Sequence, residues 1–227
     1  MTDTSRPTVT ALELTARIDL VKERIADAGG DPDHVEVMAV TKGFGSWAIE
    51  TAVAAGATLV GENYAQELVA KGARLDPAVR ERAQIHFIGQ LQTNKVRMLA
   101  GVVDVWQSVD RPSLVRELGR RLPGARVLLQ LDVANAATQG GCRPDAAGDL
   151  LSMARDLGLD VAGVMAIAPQ RTSSEVLSAF QQAVGFADDH ELPVRSLGMS
   201  DDLEQAVRAG STLIRVGTAL FGERPTR

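Results

Sequence analysis

Eight short apolar segments alternate with segments of helical periodicity along the chain, and this alternation constrains the fold more than any other feature. Each apolar segment has four to six residues, and most successive positions in it are apolar. This pattern is typical of strands that are buried on both faces of a parallel sheet. We predict strands at residues 35–40, 58–61, 84–88, 103–107, 126–131, 161–166, 194–197 and 212–216. Helices are predicted at residues 9–28, 46–55, 64–72, 93–100, 111–121, 144–157, 172–188 and 200–209.

The order of these elements predicts a closed barrel. Strands that are joined by crossover helices form right-handed βαβ units in a parallel sheet, and eight such strands close into a ring. The expected fold is therefore α/β, a single (β/α)8 TIM-type barrel with an extra N-terminal helix, in which residues 1–227 form one domain and residues 1–8 are disordered. A doubly wound open sheet is the alternative, but no GxGxxG motif follows the first strand.

Charge and cysteine content argue against several classes of protein. The net charge is −5 and no block of like charges occurs, whereas a nucleic-acid partner needs a basic face. No apolar run approaches the ~20 residues of a membrane span, and the polar start of the chain lacks an export signal, so we expect a cytoplasmic protein without a membrane partner. With one cysteine, Cys142, and three scattered histidines, we expect no disulfide, no catalytic thiol and no metal site.

Residues that follow the predicted strands are the candidates for function, because (β/α)8 barrels carry their sites at the carboxyl ends of the strands. Lys42 follows the first strand, either as an ordinary solvent-exposed lysine or as an amine held in a pocket for imine chemistry. The loops after the seventh and eighth strands contain Met199, Ser200, Gly217 and Thr218. Backbone N–H groups and hydroxyls at these two loops are typical of a phosphate site, with Ser200 as the N-cap of a helix, although helix capping alone would explain the same residues.

Arg215 lies inside the eighth predicted strand. An inward-facing guanidinium would be buried and would need an acceptor, which could be a barrel carboxylate such as Glu62 or an atom of a cofactor. A lysine, a phosphate cup and an inward arginine at one end of a barrel together suit pyridoxal 5'-phosphate (PLP). Its aldehyde forms an imine with Lys42, and the arginine contacts the pyridine nitrogen.

Four segments give the chain a family resemblance: "AVTK" at 39–42, "GENYAQE" at 61–67, "HFIGQLQTNKVR" at 86–97 and "GMSDDLEQAVRAGSTLIRVGTALFG" at 198–222. In these segments the chain resembles the pyridoxal-phosphate homeostasis protein family, which is similar to the barrel domain of alanine racemase. The resemblance implies a single-domain barrel with the cofactor PLP on a lysine. The residues it implies for cofactor binding are Lys42, Asn63, Met199, Ser200, Arg215, Gly217 and Thr218, with Lys95 and Arg97 in a basic loop near the cofactor.

The sequence departs from the family pattern at three places. The turn Gly43-Phe44-Gly45 replaces a polar turn that contains proline, Gln139 replaces a lysine in the loop after strand five, and the sixth loop has only Pro169 where two prolines are common. These changes leave the predicted phosphate cup intact. They put in doubt a secondary lysine site and any relay of cofactor through the loop of Gln139.

An arginine opposite the pyridine nitrogen cannot release a proton at working pH, so the ring is a weak electron sink. Racemases of this kind add a tyrosine from another domain and subunit, whereas the one tyrosine here, Tyr64, is expected to serve in packing. The resemblance therefore implies a protein that holds PLP as a lysine imine and contributes to intracellular PLP homeostasis without robust turnover, so that no residue is catalytic. It also implies a monomer, with PLP and apo PLP-dependent enzymes as partners. The alternatives are a PLP-dependent amino-acid racemase and, less favoured, a phosphate-binding sugar enzyme with Lys42 as an aldol lysine.

Overall fold

A closed barrel of eight parallel strands forms the centre of the computed structural model, which describes residues 9–134, 140–169 and 171–224. The strands are β1 Glu36–Val40, β2 Leu59–Glu62, β3 Gln84–Phe87, β4 Val105–Val109, β5 Arg126–Leu131, β6 Asp160–Ala166, β7 Val194–Leu197 and β8 Leu213–Val216. Each strand pairs with its neighbours in the sequence, and β8 closes the ring on β1 with Arg215 opposite Met38. The predicted TIM-type barrel is confirmed.

Helices surround the barrel in the intervals that the periodicity predicts. They are α1 Ala11–Asp27, α2 Trp47–Ala54, α3 Ala65–Gly72, α4 Pro77–Arg82, α5 Val96–Leu99, α6 Pro112–Arg121, α7 Pro144–Asp156, α8 Ser173–Asp189, α9 Leu203–Ala209 and α10 Thr218–Phe221. The helix predicted at 93–100 is instead a 3-10 turn, Thr93–Lys95, followed by the short α5. Helices α4 and α10 were not predicted; Asp76 caps α4 by accepting a hydrogen bond from the backbone N–H of Ala78.

The prediction that Ser200 caps a helix is wrong. Helix α9 begins at Leu203, with Asp202 at the N-cap position, and Ser200 lies in the preceding turn. The Oδ1 atom of Asp202 accepts a hydrogen bond of 2.5 Å from the N–H of Met199, which folds this turn onto the start of the helix. At the other end of α9, Gly210 adopts φ 103°, a left-handed conformation that ends the helix before β8.

Helix α1 packs beside the elements that carry the candidate residues. A capping box starts it, because Thr10 Oγ1 accepts from the N–H of Glu13 and the Glu13 carboxylate accepts from the N–H of Thr10. Its buried side chains Leu14, Val21 and Ile25 are at most 2% exposed. The helix contacts α2, α9 and α10, which follow strands β1, β7 and β8.

Candidate functional site

A cavity of about 250 Å³ opens at the carboxyl ends of β1, β7 and β8. Six of the seven predicted cofactor residues line this Lys42 cavity: Lys42, Met199, Ser200, Arg215, Gly217 and Thr218. Closure of the ring makes β8 the neighbour of both β1 and β7, which is why residues far apart in the sequence meet here. The structure thus brings the amine, the guanidinium and the two loops to one side of the barrel.

Lys42 is held two residues beyond the end of β1, in a half-buried position. Burial foremost, and then the guanidinium groups of Arg224 and Arg215, lower the pKa of its amine, while the carboxylate of Glu62 opposes this. A lowered pKa increases the neutral fraction of the amine at a given pH, and only the neutral form attacks a carbonyl. The arrangement favours the imine-forming interpretation of Lys42 over that of an ordinary surface lysine.

Arg224, which the sequence analysis missed, lies at the mouth of the same cavity. Gly43 has a φ of +82°, and a Cβ at this position would lie 2.9 Å from Cδ of Arg224. The glycine after Lys42 therefore makes room for the Arg224 side chain. The role of Arg224 could not be predicted from the sequence, because this residue follows no predicted strand directly and belongs to no predicted helix.

A buried ion-pair network, also missed, fixes the backbone on both sides of Lys42. Lys71 Nζ lies 2.6 Å from Glu62 Oε1 and 2.8 Å from Glu67 Oε1. The same amine donates to the backbone carbonyl of Thr41 at 2.8 Å, and the Thr41 hydroxyl donates to Glu62 at 2.6 Å. Glu67 Oε1 in turn accepts the N–H of Gly43 at 2.6 Å. The spacing Glu67–Lys71 is that of a helical i,i+4 pair, but this pattern alone predicts a solvent-exposed pair.

The two loops proposed for phosphate are tied to helix α1. Arg24 donates to the backbone carbonyl of Ser200 at 2.9 Å and to Glu204 Oε1 at 2.9 Å. Arg17 donates to the carbonyl of Leu220, at the end of α10, at 2.6 Å. In α10, which begins at Thr218, the N–H groups of Leu220 and Phe221 donate to the carbonyl of Gly217, which leaves those of Thr218 and Ala219 without a backbone acceptor among the described residues. They can therefore bind an anion at the cavity.

Arg215 is 4% exposed and is held by carbonyl oxygens rather than by an acid. It donates to the carbonyl and the hydroxyl of Ser196 and to the carbonyl of Ala166, the last at 2.8 Å. The ion pair with Glu62 that the sequence allowed does not form, because Glu62 pairs with Lys71. Burial lowers the pKa of Arg215 to about 10, which still leaves the guanidinium charged at neutral pH.

Asn63 lies apart from the other six predicted residues. It lines a second cavity of about 180 Å³, the Asn63 cavity, together with Tyr64 and Lys95. Within the described residues, Asn63 Oδ1 is buried and has no hydrogen-bond partner. Arg97 is exposed on α5.

Other sequence-based expectations concern segments away from these cavities. Residues 1–8 and Gln139 lie outside the described residues. Burial raises the pKa of the Cys142 thiol, which makes it a poor nucleophile. Across residues 9–134, 140–169 and 171–224, no cluster of three or more metal-ligating side chains is found, and no helix has the length and hydropathy of a membrane span.

Comparison with known proteins finds one matching family and several similar proteins. The family described as alanine racemase, N-terminal domain, matches residues 13–225. The pyridoxal phosphate homeostasis protein of Pseudomonas aeruginosa is 37% identical over 217 residues, covering 90% of this chain and 91% of that protein. The structure of PipY from Synechococcus elongatus with PLP bound is 34% identical and has a TM-score of 0.73. The match covers 89% of this chain and 100% of the PipY chain. Alanine racemase from Corynebacterium glutamicum shares the fold, with a TM-score of 0.70 at 16% identity over 94% of this chain and 61% of the racemase.

Proposed function

We propose, since the chain belongs to the family of pyridoxal phosphate homeostasis proteins with the alanine racemase N-terminal barrel, that it binds PLP through an imine bond to Lys42. We further propose that it contributes to PLP homeostasis in the cell without sustained catalytic turnover. Apo PLP-dependent enzymes would be the recipients of the cofactor in this role.

One observation carries the proposal: a half-buried amine, a buried guanidinium and a helix start with N–H donors surround a single cavity of about 250 Å³. These groups fit PLP, which supplies an aldehyde for the amine, an anion for the helix start and a ring nitrogen for the guanidinium. The lowered pKa of the Lys42 amine raises its neutral fraction at a given pH and so supports imine formation. Alternative amines are less suitable, because Lys71 is engaged in the buried ion-pair network and Lys95 lines the other cavity.

Each residue has a defined role in binding. The phosphate would be held by the first N–H groups of α10 and by the hydroxyls of Ser200 and Thr218. Met199 would contribute only its side chain, since its N–H already donates to Asp202. Arg215, which remains charged, would donate to the ring nitrogen and keep it unprotonated.

The acid–base groups support a carrier over a racemase. A racemase needs a second base on the face of the ring opposite the lysine. Of the described residues that line the Lys42 cavity, Asp201 is the one carboxylate, and no tyrosine, the second base of racemases of this kind, is among them. Tyr64 lines the Asn63 cavity instead.

An absorbance spectrum of the PLP-loaded protein, taken before and after borohydride reduction, tests the proposal. We expect an imine band that reduction removes, a reduced adduct that maps to Lys42, and loss of the band in Lys42→Ala with the fold intact. Lys95→Ala is the matched control and should keep the band. An adduct on another lysine would refute the assignment, and rapid exchange of the α-hydrogen of alanine in heavy water would favour the racemase.

A further inference from the structure

A chain of hydrogen bonds crosses the interior of the barrel and ends on Arg215. Arg215 Nη1 donates to Ser196 Oγ at 2.9 Å, and Ser196 Oγ donates to Gln107 Oε1 at 2.8 Å. Gln107 Nε2 lies 2.7 Å from His86 Nδ1, and His86 Nε2 lies 3.0 Å from Gln84 Oε1. His86, Gln107, Ser196 and Arg215 are each at most 5% exposed, so their partners come from the protein: one another, the backbone and, for His86, the exposed Gln84.

The chemistry of arginine fixes the direction of every bond in this chain. A guanidinium can only donate, so the Ser196 oxygen accepts from Arg215 and its hydrogen is available for Gln107. Gln107 then accepts through Oε1 and turns its amide N–H group toward His86. If the Gln107 amide were flipped, the Ser196 oxygen would face two donors. The hydroxyl hydrogen of Ser196 would then have no acceptor among the described side chains of the protein.

His86 must therefore carry its proton on Nε2. Its Nδ1 accepts from Gln107, and Nε2–H donates to Gln84. A proton on Nδ1 would face the N–H of Gln107, and no acceptor would remain for either group. Burial, with Arg126 acting in the same direction and Asp104 opposing, lowers the pKa of His86 to about 4, in agreement with a neutral ring.

We propose that Ser196, Gln107 and His86 are positioning residues for Arg215, and that the chain they form fixes the guanidinium plane toward the Lys42 cavity. Among the described residues, three of the five N–H donors of Arg215 are used by Ser196 and Ala166. The Nε–H and one Nη2–H then remain for a ligand. The role toward the cofactor rests on the proposed function, whereas the tautomer of His86 does not.

Nitrogen NMR of the histidine rings in the apo protein tests the direction of the hydrogen-bond chain. The spectrum is simple, because the sequence has three histidines, His34, His86 and His190. We expect the Nε2–H tautomer of His86 without titration between pH 5.5 and 8. In Ser196→Ala the direction of the chain is no longer fixed, so His86 should become a mixture of tautomers. If Ser196 only supported the fold locally, its replacement would not change the tautomer of His86, which it does not contact.

Affinity for PLP is the second measurement. Ser196→Ala should weaken binding about three- to tenfold, as expected for loss of one hydrogen bond that orients a ligand donor. Ser211→Ala is the matched control. The hydroxyl of this buried serine donates to backbone carbonyls and takes no part in the hydrogen-bond chain. It should leave the His86 tautomer and the affinity unchanged. Gln107→Met should reproduce both effects of Ser196→Ala and serves as the second variant if that protein does not fold.

Either of two results would overturn the proposal: an Nδ1–H tautomer of His86 in the wild-type protein, or variants with unchanged tautomer or unchanged PLP affinity. A wild-type protein that binds no PLP would refute the proposed function instead. In that case the His86 tautomer of the apo protein still tests the hydrogen-bond chain, because that measurement does not need PLP.

Discussion

Replacing Lys71 with methionine should destabilise the fold strongly. The Lys71 amine lies 2.6 Å from Glu62 and 2.8 Å from Glu67 and from the carbonyl of Thr41, so its three N–H donors are all engaged. Methionine has a similar shape but leaves Glu62, which is 0% exposed, without its cation. Removal of one partner from a buried ion pair costs about 3–5 kcal/mol. For a chain of this length that corresponds to a fall in Tm of roughly 6–20 °C.

Urea denaturation followed by circular dichroism gives the free energy of unfolding for this test. Lys22→Met, at an exposed position of α1, is the matched control and should stay within about 0.5 kcal/mol of the wild type. Adding Glu62→Gln to Lys71→Met should recover part of the loss, because a neutral amide no longer leaves a buried charge. A loss below about 1 kcal/mol, the range of a surface ion pair, would refute the reasoning.

Three further predictions concern the Lys42 cavity. Arg224→Gln removes a cation that lowers the pKa of Lys42, so the pKa should rise, less amine should be neutral at a given pH, and the pH–rate profile of imine formation should move to higher pH. Arg24→Ala removes the bond to the carbonyl of Ser200 and should weaken PLP affinity about three- to tenfold in a fluorescence titration. Thr218→Val should weaken cofactor retention on dialysis by roughly 1–3 kcal/mol, because a hydroxyl of the phosphate cup is lost.

Each of these variants has a conservative or distant control. Arg208→Gln changes an exposed arginine of α9 and should leave the pH–rate profile unchanged, and an equal shift in both variants would contradict a local effect of Arg224. Arg120→Ala, on the exposed side of α6, should keep wild-type affinity. Thr218→Ser retains the hydroxyl and should retain the cofactor; equal losses in serine and valine variants would exclude the hydroxyl as the cause.

The barrel could be predicted because its signals are local and repeated. Apolar runs mark the strands, and glycines such as Gly210 end helices in a conformation that other residues rarely adopt. The start of α9 was missed because a serine and two aspartates follow one another, and Asp202 rather than Ser200 takes the N-cap position. The family of the chain was predicted correctly from four motifs.

The contacts that position the site could not be predicted from the sequence. Arg215 could pair with a carboxylate or with carbonyl oxygens, and only the packing of β6 and β7 decides for the carbonyls. Lys71 has the spacing of a surface ion pair but lies 5% exposed, since α3 turns this face onto the barrel. Asn63 follows a strand as Lys42 does, yet it lines the Asn63 cavity and not the Lys42 cavity, and the sequence gives no signal for this difference.

The anchors of Thr41 and Gly43 leave the amine between them with little more than rotation about its own four side-chain bonds. In the proposed imine chemistry, the backbone entropy of the nucleophile is therefore already lost when the chain folds, and only the rotamer freedom of the lysine side chain remains to be lost. An incoming aldehyde meets an amine whose backbone position is set in advance. Selectivity among aldehydes would then depend on the opposite wall of the cavity, where substitutions can change which aldehyde binds without moving the backbone of the lysine.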